Sequence, residues 1–157
     1  MLAVVAGAFI TAGALFSLLL ALGVSAPGPK LLLEGIGFSS GFFFVILSDA
    51  ALFTEANVAM PATLLDAGPS IVVRVVRFWI LAFVGNLIGA LAVGWMVHLV
   101  QHNPGELGGE LQAVIQRKLA WRQLGGPGAW FQIVGSGILA NWLVGMAAFF
   151  SVMGRTI

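Results

Sequence analysis

Three stretches of this chain carry no Asp, Glu, Lys or Arg: Met1 to Pro29, Phe78 to Gly105 and Gln123 to Gly154. A fourth, Leu31 to Phe53, is interrupted only by Glu34 and Asp49. The hydrocarbon core of a bilayer takes about 20 apolar residues per helix. Each stretch is long enough to cross, and together they use up the chain. The composition agrees: 60% of residues are hydrophobic, 8% are charged and the mean hydropathy is +1.05, far more apolar than a soluble domain. The chain reads as an all-α, polytopic membrane protein.

Several classes are set aside on the same ground. A formal net charge of +1 and the lack of a basic run give no footing for nucleic acid. With no cysteine there is no disulfide, thiolate metal site or redox-active thiol. A cleaved secretory signal is disfavoured, although "VSA" precedes Pro27, because no Lys or Arg comes before the apolar run and the run is long.

The expected spans are residues 2–24, 31–54 with a broken continuation over 55–66, 76–100 and 129–153. "SAPGPK" is read as a turn after the first span and "LLDAGPS" as a loop before the third. "HNPGELGGE" is read as an aqueous loop, followed by an amphipathic helix over 111–124 that carries Arg117, Lys118 and Arg122. Four spans put both termini on one side. Arg74, Arg77 and Arg155 then lie on one side, and Lys30, Arg117, Lys118 and Arg122 on the other. These sets nearly balance, so positive charge does not orient the chain.

The polar island "SDAALFTEANVAMP", residues 48–61, is the exception to the apolar pattern. An ionisable side chain deep in a membrane costs about 3 kcal/mol or more, so it faces a cavity, a partner or water. Asp49 and Glu55 are about 600° apart on an unbroken helix and would point in different directions. Either the two acids mark a span end and snorkel to the interface, or the helix breaks here and exposes backbone groups that must line a cavity or be buried. The glycines of span three, Gly85 and Gly89, and those of span four, Gly135, Gly137 and Gly145, suit close helix packing. For Asn86 and Asn141, an interhelical hydrogen bond and a pore role stand as equal readings. His98 and His102 share a helix face at i and i+4, but no further ligand accompanies them and interfacial histidines are the plainer reading. No nucleophile–base pair is visible, so no enzyme is expected, and no metal or other cofactor.

Three motifs in order carry a family resemblance, and the first span is similar as well. "AVVAGAFITAGALF" opens span one, "LFT" (Leu52, Phe53, Thr54) stands at the polar island, "GNLIGAL" lies in span three and "GILANWLVGMAAFFS" in span four. This pattern resembles the formate/nitrite transporter family over essentially the whole chain, closest to a branch reading LFTEN, although Ala56 here precedes Asn57.

The resemblance implies an aquaporin-like fold of six helices in two inverted repeats, assembled as a pentamer with one pore per protomer in the bacterial inner membrane. Its substrates would be small monovalent anions such as formate or nitrite, and its termini cytoplasmic. It implies a second helix broken beside Thr54, with Leu52 and Phe53 narrowing the cytoplasmic side of the pore. Phe38, with Phe42 nearby, would narrow the other side, and Asn141 and Val144 would face the pore. The family's central histidine lies on a fifth helix, and neither His98 nor His102 matches it; Ala51 stands where an acid or amide often precedes "LFT". The chain therefore reads as the first repeat plus one helix of the second, a fragment or truncated member of a conducting family. A non-conducting membrane protein, either a remnant or an assembly partner, is the alternative.

Overall fold

The computed structural model describes residues 1–57, 69–100, 105–120, 123 and 125–154. Every regular element among them is helical: α1 (Leu2–Ala21), α2 (Pro27–Leu47), α3 (Pro69–Val100), α4 (Gly105–Leu119) and α5 (Gly126–Gly154). α1, α2, α3 and α5 are long and apolar enough to cross a membrane. In a bilayer each backbone polar group must be satisfied within the protein, which a helix does locally. Hydroxyls follow the same rule. Thr11 donates to the Gly7 carbonyl, Ser40 to that of Gly37 and Ser151 to that of Ala148, each within its own helix.

Prolines set two boundaries that sequence reading placed later. α2 starts at Pro27, within the segment read as a turn, and α3 starts at Pro69 rather than near residue 76. Proline suits the first helical position because its fixed φ is helical and its missing N–H would have no intrahelical partner there. The turn itself is shorter, closing over residues 22–26 with Gly23 at a φ of +75°, where glycine bears no steric penalty.

α1 is the central post. α2 runs antiparallel to it: Gly13 faces Gly41, Gly37 faces Ser17, and Gly41 faces the Phe9 carbonyl. α3 runs parallel on its other side, with Gly85 against Ala3 and Gly89 against Val4 and Ala8. A Cβ built on Gly13 would lie 2.7 Å from the Gly41 Cα, so these backbones touch only because side chains are absent. The tightest apolar cluster joins Ala6, Val45, Ala50 and Leu52, with Phe9 and Phe42 against it. The outer faces carry large apolar residues such as Phe43, Leu91 and Trp95, as expected of surfaces that meet lipid.

α4 corrects the expected amphipathic segment. It begins at Gly105, six residues before Leu111, and converts most of the supposed aqueous loop into helix. Three contacts account for this in a glycine-rich run. Leu107 is buried, Glu106 sits in the first turn where the helix dipole favours an acid, and Glu110 pairs with Lys30 at 2.8 Å. Among the described residues the extensive interfaces are those of α1 with α2 and α3; α4 touches α1 only slightly, and α5 takes no part in them.

Candidate functional site

The polar island is a helix break. α2 stops at Leu47 and helical structure resumes over 53–57, with five residues between. The break therefore falls before Thr54 rather than at it, and Thr54 stands in the first turn of the resumed helix.

The chain closes α2 by local chemistry. Asp49 takes a φ of +50°, the Ala50 N–H donates to the Val45 carbonyl at 3.1 Å, and the Asp49 N–H reaches the Ile46 carbonyl at 3.5 Å. This pair of reversed bonds is a Schellman closure, usually built on glycine; Asp is among the few other residues that tolerate the left-handed region. Its customary apolar contact is present too, because Val45 and Ala50 pack in the same buried cluster. Asp49 thus has a structural role at the break as the helix-ending residue. Glu55 lies in the first turn of the resumed helix, where negative charge is favoured.

The open ends are stapled by Asn86. Its Oδ1 accepts from the Phe53 N–H at 2.9 Å, and its Nδ2 donates to the Ala51 carbonyl at 2.9 Å and to the Ala3 carbonyl at 2.7 Å. One amide side chain thus joins α3, α1, the broken segment at Ala51 and the start of the resumed helix at Phe53. The Ala56 N–H bonds the Leu52 carbonyl at 3.0 Å, so the resumed helix starts at once. Asn86 lies eight residues into the charge-free run that begins at Phe78, about 12 Å along the helix. At that depth an unsatisfied backbone group costs several kcal/mol. Of the two readings open for Asn86, the interhelical bond is the one realised. Sequence reading did not identify it as the staple; the available signal was its place in "GNLIG", where flanking glycines bring α1 close.

The residues expected along a path divide into three groups. Leu52, Phe53 and Thr54 are together at the break: Leu52 is buried, Phe53 packs edge-on against Phe83 with centroids 5.4 Å apart, and Thr54 is half-buried. Phe42 joins them through the cluster that contains Leu52. Phe38, one turn earlier on α2, faces a separate cavity of about 960 Å³ between α1, α2, α3 and α4. Thr11, Ser17, Glu34, Arg117 and Lys118 also line that cavity. Asn141 and Val144 stand on α5, outside the α1 interfaces. The Asn141 Nδ2 bonds the Gly137 carbonyl of its own helix at 2.9 Å, and its buried Oδ1 has no partner among the described residues.

Of the cations expected together, Lys30, Arg117 and Lys118 are near one another, and Arg122 lies outside the described residues. Lys30 bonds both carboxylate oxygens of Glu110, and Arg117 comes to 4.0 Å from Glu34. His98 packs its ring against Trp95 at 5.8 Å; His102, and Pro61 and Asp66 of the expected continuation, lie outside the described residues. No metal-ligating group of three or more side chains occurs among the described residues.

Comparison with known proteins accounts for the motifs. The chain is 29% identical over 129 residues to the protein named formate channel FocA of Haemophilus influenzae, covering 80% of this chain and 42% of that one. It is 26% identical over 178 aligned positions to a probable formate transporter of Methanothermobacter thermautotrophicus, covering 99% of this chain and 61% of the relative. The chain thus spans less than two thirds of the length of either relative. No solved structure gives a significant match. The family model described as formate/nitrite transporter matches residues 1–157. With four helices apolar enough to cross a bilayer, the chain is an integral membrane protein and belongs to the formate/nitrite transporter family.

Proposed function

We propose that this chain supplies part of the wall of a conduction path for a small monovalent anion such as formate or nitrite. The observation that carries the reading is the helix break held by Asn86 near the middle of a charge-free span, with Thr54 in the turn that follows. Irregular backbone at membrane depth is tolerated only where it is buried in protein or lines a cavity. The relatives' names, a formate channel and a probable formate transporter, support the substrate class.

In this reading Leu52 and Phe53 form one apolar constriction, with Phe42 packed beside Leu52, and Phe38 forms the other. Narrow apolar rings strip water from an ion, and a few donors then select it. The Thr54 hydroxyl is the donor between them; no hydrogen bond reaches it among the described residues. Asn141 and Val144 contribute from α5 once further protein closes the path. The assembly would be an aquaporin-like fold repeated in a homopentamer, in the bacterial inner membrane with both termini cytoplasmic. The protein acts as a conduit rather than an enzyme.

Liposome flux tests the reading. A path needs protein on every side of its polar groups, so the 157-residue chain alone should show no selective formate or nitrite flux. Fused to the C-terminal remainder of the Haemophilus influenzae relative, it should conduct, and Thr54→Val should lower that flux by roughly tenfold, the worth of one hydrogen bond to a charged group. Selective, saturable flux through the chain alone would refute the need for further protein. No flux from the fused protein would favour a non-conducting membrane protein.

A further inference from the structure

The cavity beside Phe38 has a wall that does not cross the membrane. Leu111, Val114, Arg117 and Lys118 of α4 line it opposite α1, α2 and α3. α4 is held there by two charge pairs, both reaching the first turns of α2. Lys30 binds the Glu110 carboxylate through both oxygens, at 2.8 and 2.9 Å, with both side chains about three-quarters buried. One turn further along α2, the Arg117 guanidinium approaches Glu34 at 4.0 Å. That distance offsets charge without a hydrogen bond, and the buried Glu34 Oε1 has no hydrogen-bond partner among the described residues.

The order of charges specifies direction. Lys30 then Glu34 on α2 meets Glu110 then Arg117 on α4. Turning α4 end for end would set Lys30 against Arg117 and Glu34 against Glu110, two repulsive pairs. Apolar attachment is slight by comparison: Leu107 is the one buried residue of α4, and the helix otherwise presents a polar outer face. An element held mainly by two partly exposed ion pairs is one that can detach without disturbing the glycine-packed core.

We propose that α4 is a charge-latched lid over this cavity, with Lys30–Glu110 as the latch and Glu34–Arg117 as the contact that opens with it. Closed, α4 shields the cavity that leads to Phe38; detached, it exposes Glu34 and the cavity to water. The inference stands on helix packing and does not depend on anion conduction. If the transport reading is also right, the lid controls access to the Phe38 side of the path.

The absence of native cysteine makes the test direct, since any introduced thiol is unique. Gly94 lines the cavity, and a Cβ there meets nothing within 4 Å, so Gly94→Cys fits without strain. In proteoliposomes of the full chain, the rate at which a charged, impermeant methanethiosulfonate labels Gly94→Cys reads the lid. Adding Lys30→Glu should raise that rate by about fivefold or more, by replacing an attraction with a repulsion. Combining Lys30→Glu with Glu110→Lys should restore the slow rate. An unchanged rate in the single variant, or no restoration in the double, overturns the latch. Should Lys30→Glu fail to fold, Lys30→Cys with Glu110→Cys in the same chain should be bridged by a short bifunctional methanethiosulfonate. Failure to bridge overturns the closed lid. None of these readouts involves transport, so the lid and the conduit can fail separately.

Discussion

Asn86 and Asn141 occupy near-equivalent sequence settings and have opposite fates. Each is the one asparagine of a long apolar span, and each has glycines within a turn or two: Gly85 and Gly89 for one, Gly135 and Gly137 for the other. In α3 the glycines bring α1 into backbone contact and Asn86 makes three bonds across element boundaries. In α5 a Cβ on Gly135 or Gly137 would meet nothing within 4 Å, and the Asn141 amide turns back to its own helix. A small residue or an amide in a membrane span is therefore a capacity for contact. The neighbouring helix determines whether that capacity is used.

Removing the two amides should separate these regions most sharply. Asn86→Leu leaves the Phe53 N–H and the Ala51 carbonyl without this partner and removes a second bond to the Ala3 carbonyl, which keeps its place in α1; at about 1–3 kcal/mol per orphaned group the loss should be about 2 kcal/mol or more in detergent unfolding. Asn141→Leu should cost less than about 1 kcal/mol in the same assay, since it removes a bond within one helix and a carbonyl oxygen that has no partner. An Asn141 variant as damaging as the Asn86 variant would show that α5 is packed against protein in the assembled state.

The glycines give a second, smaller contrast. Gly41→Ala would push a methyl group to 2.5 Å from the Phe9 carbonyl oxygen, and overpacking of this kind costs about 1–3 kcal/mol. Gly137→Ala has open space and should be neutral or stabilising by up to about 1 kcal/mol through helix propensity. Thermal unfolding of the two single variants, side by side, checks both signs.

The smallest effect concerns how far the break depends on its own residues rather than on Asn86. At a φ of +50°, Asp49→Ala should be about 1 kcal/mol less stable than Asp49→Gly, which accepts that φ freely. If the two are equal, the Schellman closure contributes little and Asn86 alone holds the break.

Much of the architecture was legible without coordinates. Charge-free run lengths count the helices long and apolar enough to cross, because lipid offers no solvation to an ionic group. The incompatible directions of Asp49 and Glu55 suggest a break, although it opens after Leu47 and "LFT" stands where the helix resumes. The misplaced boundaries had a common cause. Pro27 and Pro69 were read as breakers although each starts a helix, and "GELGGE" was read as loop because its stabilising partners, Lys30 above all, lie far away in sequence. Of the candidate site, Leu52, Phe53, Thr54 and Phe42 assemble as one region, whereas Phe38 lies by the cavity under α4 and Asn141 and Val144 remain on α5.

By itself, the sequence determined that this chain lives in a membrane, how many of its described helices are long and apolar enough to cross it and which segment interrupts them. Those properties follow from the transfer of single side chains and from local backbone preference. The tertiary structure alone decided that Asn86 holds the break, because its three partners come from α1, from within the interruption and from the helix that follows it, the last two more than 30 residues away. It also decided that Lys30 and Glu34 hold α4, a pairing across some 80 residues that no local pattern encodes. Hydrogen bonds and ion pairs depend on the meeting of two groups in space, and that meeting is set by the glycine-lined approach of α2 and α3 to α1.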